Sequence, residues 1–426
     1  MALLGRGGGK QNIHLLKSTQ INQTTMIDVN VDGVYLQLAD LPPLLFPVTM
    51  QHILTVLNNW FWWEDMWMPR NCSWANFEDH NGYVFPKPQQ LFATIPYAFV
   101  MLAIRFFLER CFAIPLANML GIKKTRRIKP QPNPTLEAFF KECRKPSQSE
   151  IRGLAKKCNW TMHLVEKWFR RRRNLEIPTL HKKFQEACWR FVFYTTSFTA
   201  GIIFLYDKPW FHDIWLVWLN YPFHSVLPSQ YWYYMLEMSF YWSLLFTLGI
   251  DTKRKDFKAH VVHHFAALGL MFCSWSANYI RLGTLVMIVH DFADIWLEAA
   301  KMFNYARWEN TCSVLFVIFS IAFFITRLIL FPFWILRATL YYPALYTDTL
   351  VPAYFFFNVQ LLILQGLHIY WAYLVFNILK KFIFVKNVKD DRSDEEEEDS
   401  FSDAEEEYMK NGHKNGSSHP LLNNNH

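Results

Sequence analysis

Residues 259–305 read AHVVHHFAALGLMFCSWSANYIRLGTLVMIVHDFADIWLEAAKMFNY. Two apolar segments of helix length are joined here by a short Ser/Asn turn, and each carries ionisable side chains well inside it. His263 and His264 stand in the first; His290, Asp291 and Asp294 stand in the second. An ionisable group at membrane depth costs roughly 2.5–3.5 kcal/mol even on lenient insertion scales, so such groups mark a working site by default. Residues three and four apart share a helix face. His290, Asp291, Asp294 and Glu298 therefore form one acidic stripe with Lys301 at its end, and His260 shares a face with both His263 and His264. A lone membrane His is more often a satisfied structural donor, and Glu298 with Lys301 reads as an interfacial pair. Two His facing two Asp across neighbouring spans read differently, as nucleophile and base chemistry on a lipid.

Working outward, about 20 apolar residues cross a bilayer core of about 30 Å. Seven segments meet that need, near 91–113, 187–206, 229–249, 259–278, 282–304, 312–336 and 353–377. The fold expected is all-α: a polytopic membrane protein with about seven transmembrane helices and a small trihelical insert. Lys/Arg-rich stretches follow the first, third and seventh spans, which puts all three on one face and makes it cytosolic. The N-terminus is then luminal and the C-terminus cytosolic. The aromatic share, 18%, suits two interfacial belts. A net charge of +7 hides a basic stretch at 122–183 and an acidic tail at 394–407. Seven scattered Cys without C-x-x-C spacing indicate neither a disulfide framework nor a zinc cluster. Residues 1–42 lack a signal-peptide pattern, and MQHILTVLNNWFWW (50–63) reads as an interfacial amphipathic helix. Asn71-Cys72-Ser73 falls on the luminal side as a glycosylation acceptor. Asn159-Trp160-Thr161 falls on the cytosolic side and should stay bare; Asn22-Gln23-Thr24 lies in the N-terminal extension.

Between the first two spans, Pro134–Cys143, Gln148–Cys158 and Thr161–Asn174 read as three short helices. The third ends in Lys167-Trp168-Phe169-Arg170-Arg171-Arg172-Arg173-Asn174, which resembles the second half of a homeodomain. Where that family reads adenine with Asn, two residues after the Phe, this chain has Arg171. Bidentate Asn readout is lost, so no specific DNA binding is expected. A basic surface against anionic headgroups or an anionic substrate is the plainer reading.

His260-Val261-Val262-His263-His264 also matches H-x-x-H-H, the box type of membrane di-iron enzymes. Such sites need roughly eight His from three boxes. His212, His224, His290 and His368 stand singly in the sequence, so no metal site is expected.

The segment 255–305 resembles the Lag1 motif of the ceramide synthases, within a membrane domain of the TRAM–Lag1–CLN8 type over 182–384. That resemblance divides the chain into a luminal region (1–90), a first span (91–113), a homeodomain-like insert (114–181), a six-helix catalytic domain (182–384) and an acidic tail (385–426). It implies transfer of a long or very-long-chain acyl group from acyl-CoA, a co-substrate, to the amine of a sphingoid base, with no cofactor. His263 is implied as acyl acceptor and Asp294 as its activating carboxylate, with His264, His290 and Asp291 completing the site. An imidazole can hold the acyl group covalently or act as a general base for direct amine attack; the sequence leaves both open. The same resemblance implies an endoplasmic reticulum membrane location, contact with membrane lipids, and homo- or hetero-dimers with related synthases. It also gives the connection 340–352 an influence on acyl length, through Tyr341, Tyr342, Pro343, Tyr346, Asp348 and Pro352. Ser393, Ser400 and Ser402, in acidic context, read as phosphorylation sites for an acidophilic kinase.

Overall fold

The computed structural model describes residues 48–122, 127–252, 256–346 and 350–385. Asn22, Asp348, Ser393, Ser400 and Ser402 lie outside them. The described residues are helical apart from turns and one isolated bridge between His80 and Tyr83. The chain divides into two compact units, 1–55 and 56–426. Of the first, only the opening turns of helix α1 (Val48–Phe61) are described. In the second, α1 ends with Val56, Leu57 and Trp60 all exposed, as an interfacial helix requires.

Helix α2 (Thr94–Leu108) continues through a π-helical turn at Glu109–Ala113 into Ile114–Met119. The insert follows as α3 (Pro134–Glu142), α4 (Gln148–Cys158) and α5 (Met162–Glu176). Each starts on a side-chain cap: Asn133 accepts from Thr135 N and Leu136 N, Ser147 closes a capping box with Glu150, and Thr161 accepts from Leu164 N. Leu136, Phe140, Ile151, Leu154, Val165, Trp168 and Phe169 form its small core. Arg172 is structural here. It pairs with Glu137 at 2.8 Å, lies over the Phe140 ring and holds the Glu137 carboxyl below its ordinary range.

Five long helices follow as α6 (Leu180–Leu205), α7 (Pro228–Thr247), α8 (Phe257–Ser276), α9 (Ile280–Tyr305) and α10 (Glu309–Phe323). Helix α10 runs on in wide π winding through Phe324–Leu336, and α11 (Pro352–Val385) closes the bundle. These helices fall where the sequence placed its apolar segments. On length and apolarity alone, four stretches among the described residues qualify to cross a membrane: Pro88–Met119, Met162–Leu205, Glu309–Leu340 and Pro352–Phe384. Helices α7, α8 and α9 are of comparable length, but they carry the polar residues and lie inside. Helix α9 is central, packed chiefly on α6 and α10.

The two ends of the bundle differ in chemistry. At one, residues 62–93 and 206–227 fold into an aromatic cap with Trp67, Phe77, Phe85, Trp210 and Trp218 at its core. Asn278 takes a left-handed conformation (φ 55°) that reverses the chain between α8 and α9, a conformation Asn tolerates. Its Nδ2 donates to Pro222 O (2.7 Å) and His224 O (3.0 Å), stitching the hairpin to the cap. Asn71 lies exposed on this cap, also at positive φ (65°). The opposite end carries the charges: Arg105 pairs with Glu109 and Asp251, each at 2.7 Å, and Lys301 with Glu298 at 2.5 Å.

Candidate active site

The α8–α9 hairpin holds His263 on one antiparallel arm and His290 on the other, which is why the sequence places them a helical span apart. Between α7, α8, α9 and α11 run two cavities in line. The outer one opens toward the charged end; its walls include Arg190, His264, Asp294, Lys301, Arg327 and Trp371. The inner one runs toward the cap between Leu270, Met271, Val286, Met287, Phe357 and Leu361, with Glu237 and Asp291 on its side. Tyr241, His263 and His290 border both and form the neck between them.

The five residues singled out from sequence are brought together but divided in role. His263 stands at the neck between the rings of Tyr241 (6.1 Å) and Trp371 (5.5 Å). His264 borders the outer cavity only. Neither Nδ1 has a hydrogen-bond partner. Asp291 faces the inner cavity and Asp294 the outer, so two carboxylates on one helical stripe serve different spaces. Among the described residues no hydrogen bond joins Asp294 to His263. Asp294 instead accepts from Arg327 Nη2 at 3.4 Å.

His290 is not the single histidine that the sequence suggested. Its Nδ1 donates to the Val286 carbonyl (2.7 Å), so in the neutral ring Nε2 accepts, and His368 Nε2 on α11 donates to it at 3.1 Å. Arg327 was overlooked as well. The π winding, which contains Pro332, turns Arg327 inward, where it is 4% exposed and donates to the His290 carbonyl at 2.8 Å. Its Nη1 has no protein partner, leaving a buried donor for developing negative charge. Both Arg327 and Glu237 are lone ions inside apolar runs, and the membrane-depth rule applied to His263 finds them too. Among the described residues no three His, Cys, Asp or Glu side chains converge as a metal set.

The floor of the inner cavity is polar. Tyr234 donates to Ser274 Oγ (2.6 Å), which donates to the Tyr279 carbonyl (2.9 Å). A Cβ on Gly283 would overlap the Tyr234 hydroxyl, so glycine alone fits at this crossing. No described residue of 340–352 borders the inner cavity.

A family model described as the TLC domain matches residues 183–377, and one for the homeodomain matches 123–176. The second match reaches beyond the half-homeodomain read from sequence, and α3 supplies a short first helix. Residues 183–377 are thus a TLC domain. Ceramide synthase 3 of Homo sapiens is 59% identical over 339 residues, covering 79% of this chain and 88% of that one. Ceramide synthase 3 of Mus musculus is 54% identical over 363 residues (83% and 94%), and ceramide synthase hyl-2 of Caenorhabditis elegans is 29% identical over 368 (83% and 99%). The chain belongs to the ceramide synthase family.

Proposed function

We propose that this chain N-acylates a sphingoid base with a long or very-long-chain acyl group taken from acyl-CoA, through an acyl group held on His263. The observation that carries this is the position of His263 at the neck, with a charged cavity on one side and an apolar one on the other. A coenzyme A thioester suits the outer cavity, where Arg190, Lys301 and Arg327 offset its phosphates, and its acyl chain suits the inner one. The thioester is already activated, so no cofactor is needed. An imidazole nitrogen of His263 forms the new N–C bond, the C–S bond breaks, and coenzyme A leaves as thiolate or thiol. The sphingoid ammonium loses one proton to a carboxylate, Asp294 in this reading, and the free amine attacks. The imidazole N–C bond breaks as the amide forms, and the second amine proton ends on the ring. Intact-protein mass after incubation with an acyl-CoA alone tests this: an increase of one acyl group is expected. Full turnover with no such adduct in the wild type would establish direct amine attack instead.

The charged end faces the cytosol in this reading, and the cap faces the lumen of the endoplasmic reticulum, with Asn71 glycosylated. Dimers with itself or related synthases, and phosphorylation of Ser393, Ser400 and Ser402, belong to the same reading. Specific DNA binding is not part of it, because Arg171 replaces the adenine-reading Asn and Arg172 is committed to Glu137.

Acyl length divides two expectations. If residues 340–352 set it, exchanging that loop for one from a shorter-chain synthase shortens the product without loss of turnover. If the inner cavity sets it, filling that cavity from its wall with Val286→Phe shortens the product and the loop exchange leaves it unchanged. Product mass spectra read both, and the all-helical lining of the inner cavity favours the second. A methylene discriminates by only about 1–3 kcal/mol, so steric closure has to do the sorting.

A further inference from the structure

Between the neck and its polar floor, the inner cavity carries an acidic feature on one side that acyl transfer from a thioester does not use. Glu237, on α7, is 1% exposed, and its Oε1 accepts a short hydrogen bond from Ser197 Oγ on α6. Among the described residues its Oε2 receives no hydroxyl, amide or cationic donor. Asp291, on α9 and also 1% exposed, has an Oδ2 in the same condition. The two carboxyl groups are in hydrogen-bond contact with one another across the α7–α9 interface, so they hold a proton between them and together present one negative charge, and both border the cavity that His263 closes. A buried carboxyl pair that shares one proton still keeps a net negative charge among apolar walls, which is costly until a cation meets it. Paired beside an apolar channel, they call for a cationic donor with a hydrocarbon tail.

An acyl chain brings no donor, and coenzyme A phosphates are repelled. A long-chain amine brings an ammonium with three N–H donors, and the sphingoid hydroxyls add more. We propose that Glu237, together with Asp291, binds the ammonium of the acceptor amine beside the acyl chain on the inner side of the neck, and so presents its nitrogen to the acyl group at His263 with Asp294 across the neck to take its proton. Ser197 holds the Glu237 carboxylate in place and leaves one oxygen free for the substrate. Glu237 is thus an amine-binding residue outside the Lag1 stretch; it forms and breaks no covalent bond. This rests on the acyl-transfer reading above for its substrate and adds which group recognises it.

The test uses full-length enzyme in lipid nanodiscs, wild type beside Glu237→Gln, with two readouts. The first is acyl-enzyme mass formed from acyl-CoA alone; the second is KM for sphinganine and for acyl-CoA, measured separately. For Glu237→Gln the acyl adduct and the acyl-CoA KM are expected to stay at wild-type levels. KM for sphinganine should rise roughly 10- to 100-fold, as befits a lost charge-assisted hydrogen bond. An unchanged sphinganine KM, or an adduct that falls in parallel with turnover, overturns the proposal and leaves Glu237 a structural group. If Glu237→Gln does not insert, Ser197→Ala supplies the same split, with a several-fold rise in sphinganine KM expected and an unchanged value overturning it. A wild type without adduct refutes the covalent intermediate alone, because the KM comparison still reads amine recognition.

Discussion

His263→Ala is expected to lower ceramide formation by purified enzyme by roughly 10³-fold or more and to remove the acyl adduct, while the protein still inserts and folds. The neck geometry gives the reason. His263 is among the few side chains that border both cavities, so it alone of the adjacent pair meets a thioester from the charged side and the acyl chain's path on the other. Its Nδ1 has no protein partner, so truncation strands no hydrogen-bonding group and the fold loses little beyond ring packing on Tyr241 and Trp371. His264→Ala, in the outer cavity only, should be milder. Activity above a few per cent in purified His263→Ala, or an adduct that persists, removes His263 from the acceptor role.

Asp294→Asn is expected to be nearly as damaging to turnover, by about 10²- to 10⁴-fold, because the amide keeps the shape but accepts no proton. It also carries a second, separable cost. Arg327 is buried and Asp294 is its carboxylate partner. Removing one member of a buried pair typically costs about 3–5 kcal/mol, and less where a partner is wet. The Asp294 side chain is 25% exposed, so the lower end or below applies. Asp294→Asn combined with Arg327→Met should therefore recover thermal stability and recover no activity. Recovery of both would make Asp294 a structural counter-ion; a wild-type pH–rate profile in the single variant would exclude it as the base.

How far the sequence carried the reading depended on which physical signal each residue gives. The helices from α6 to α11 and those of the insert were legible because periodicity, caps and apolar length are local properties. His263, His290, Asp291 and Asp294 were legible because an ion inside an apolar run is anomalous wherever the run packs. Their partnerships were not. Asp294 reads as facing His263 when only the hairpin is considered, yet it is tied to Arg327, 33 positions along the chain. His368 looks like a single histidine until α11 lies against α9. Such pairings depend on which helices are neighbours, and no residue's own chemistry encodes that. Glu237 and Arg327 could have been singled out by the membrane-depth rule; a short motif drew attention away from single ions.

The shared neck has a consequence for fidelity. A thioester and an acyl-imidazole are both open to hydrolysis, and the mouth on the charged side is wet. On the acyl-histidine mechanism proposed above, water that passes Tyr241 and Trp371 while the acyl group waits turns that group into free fatty acid, a futile loss of a coenzyme A ester. The aromatic collar is therefore a leak valve as well as a wall. The ratio of amide to free acid released per thioester consumed expresses how dry that collar keeps the junction, independently of how fast the enzyme turns over.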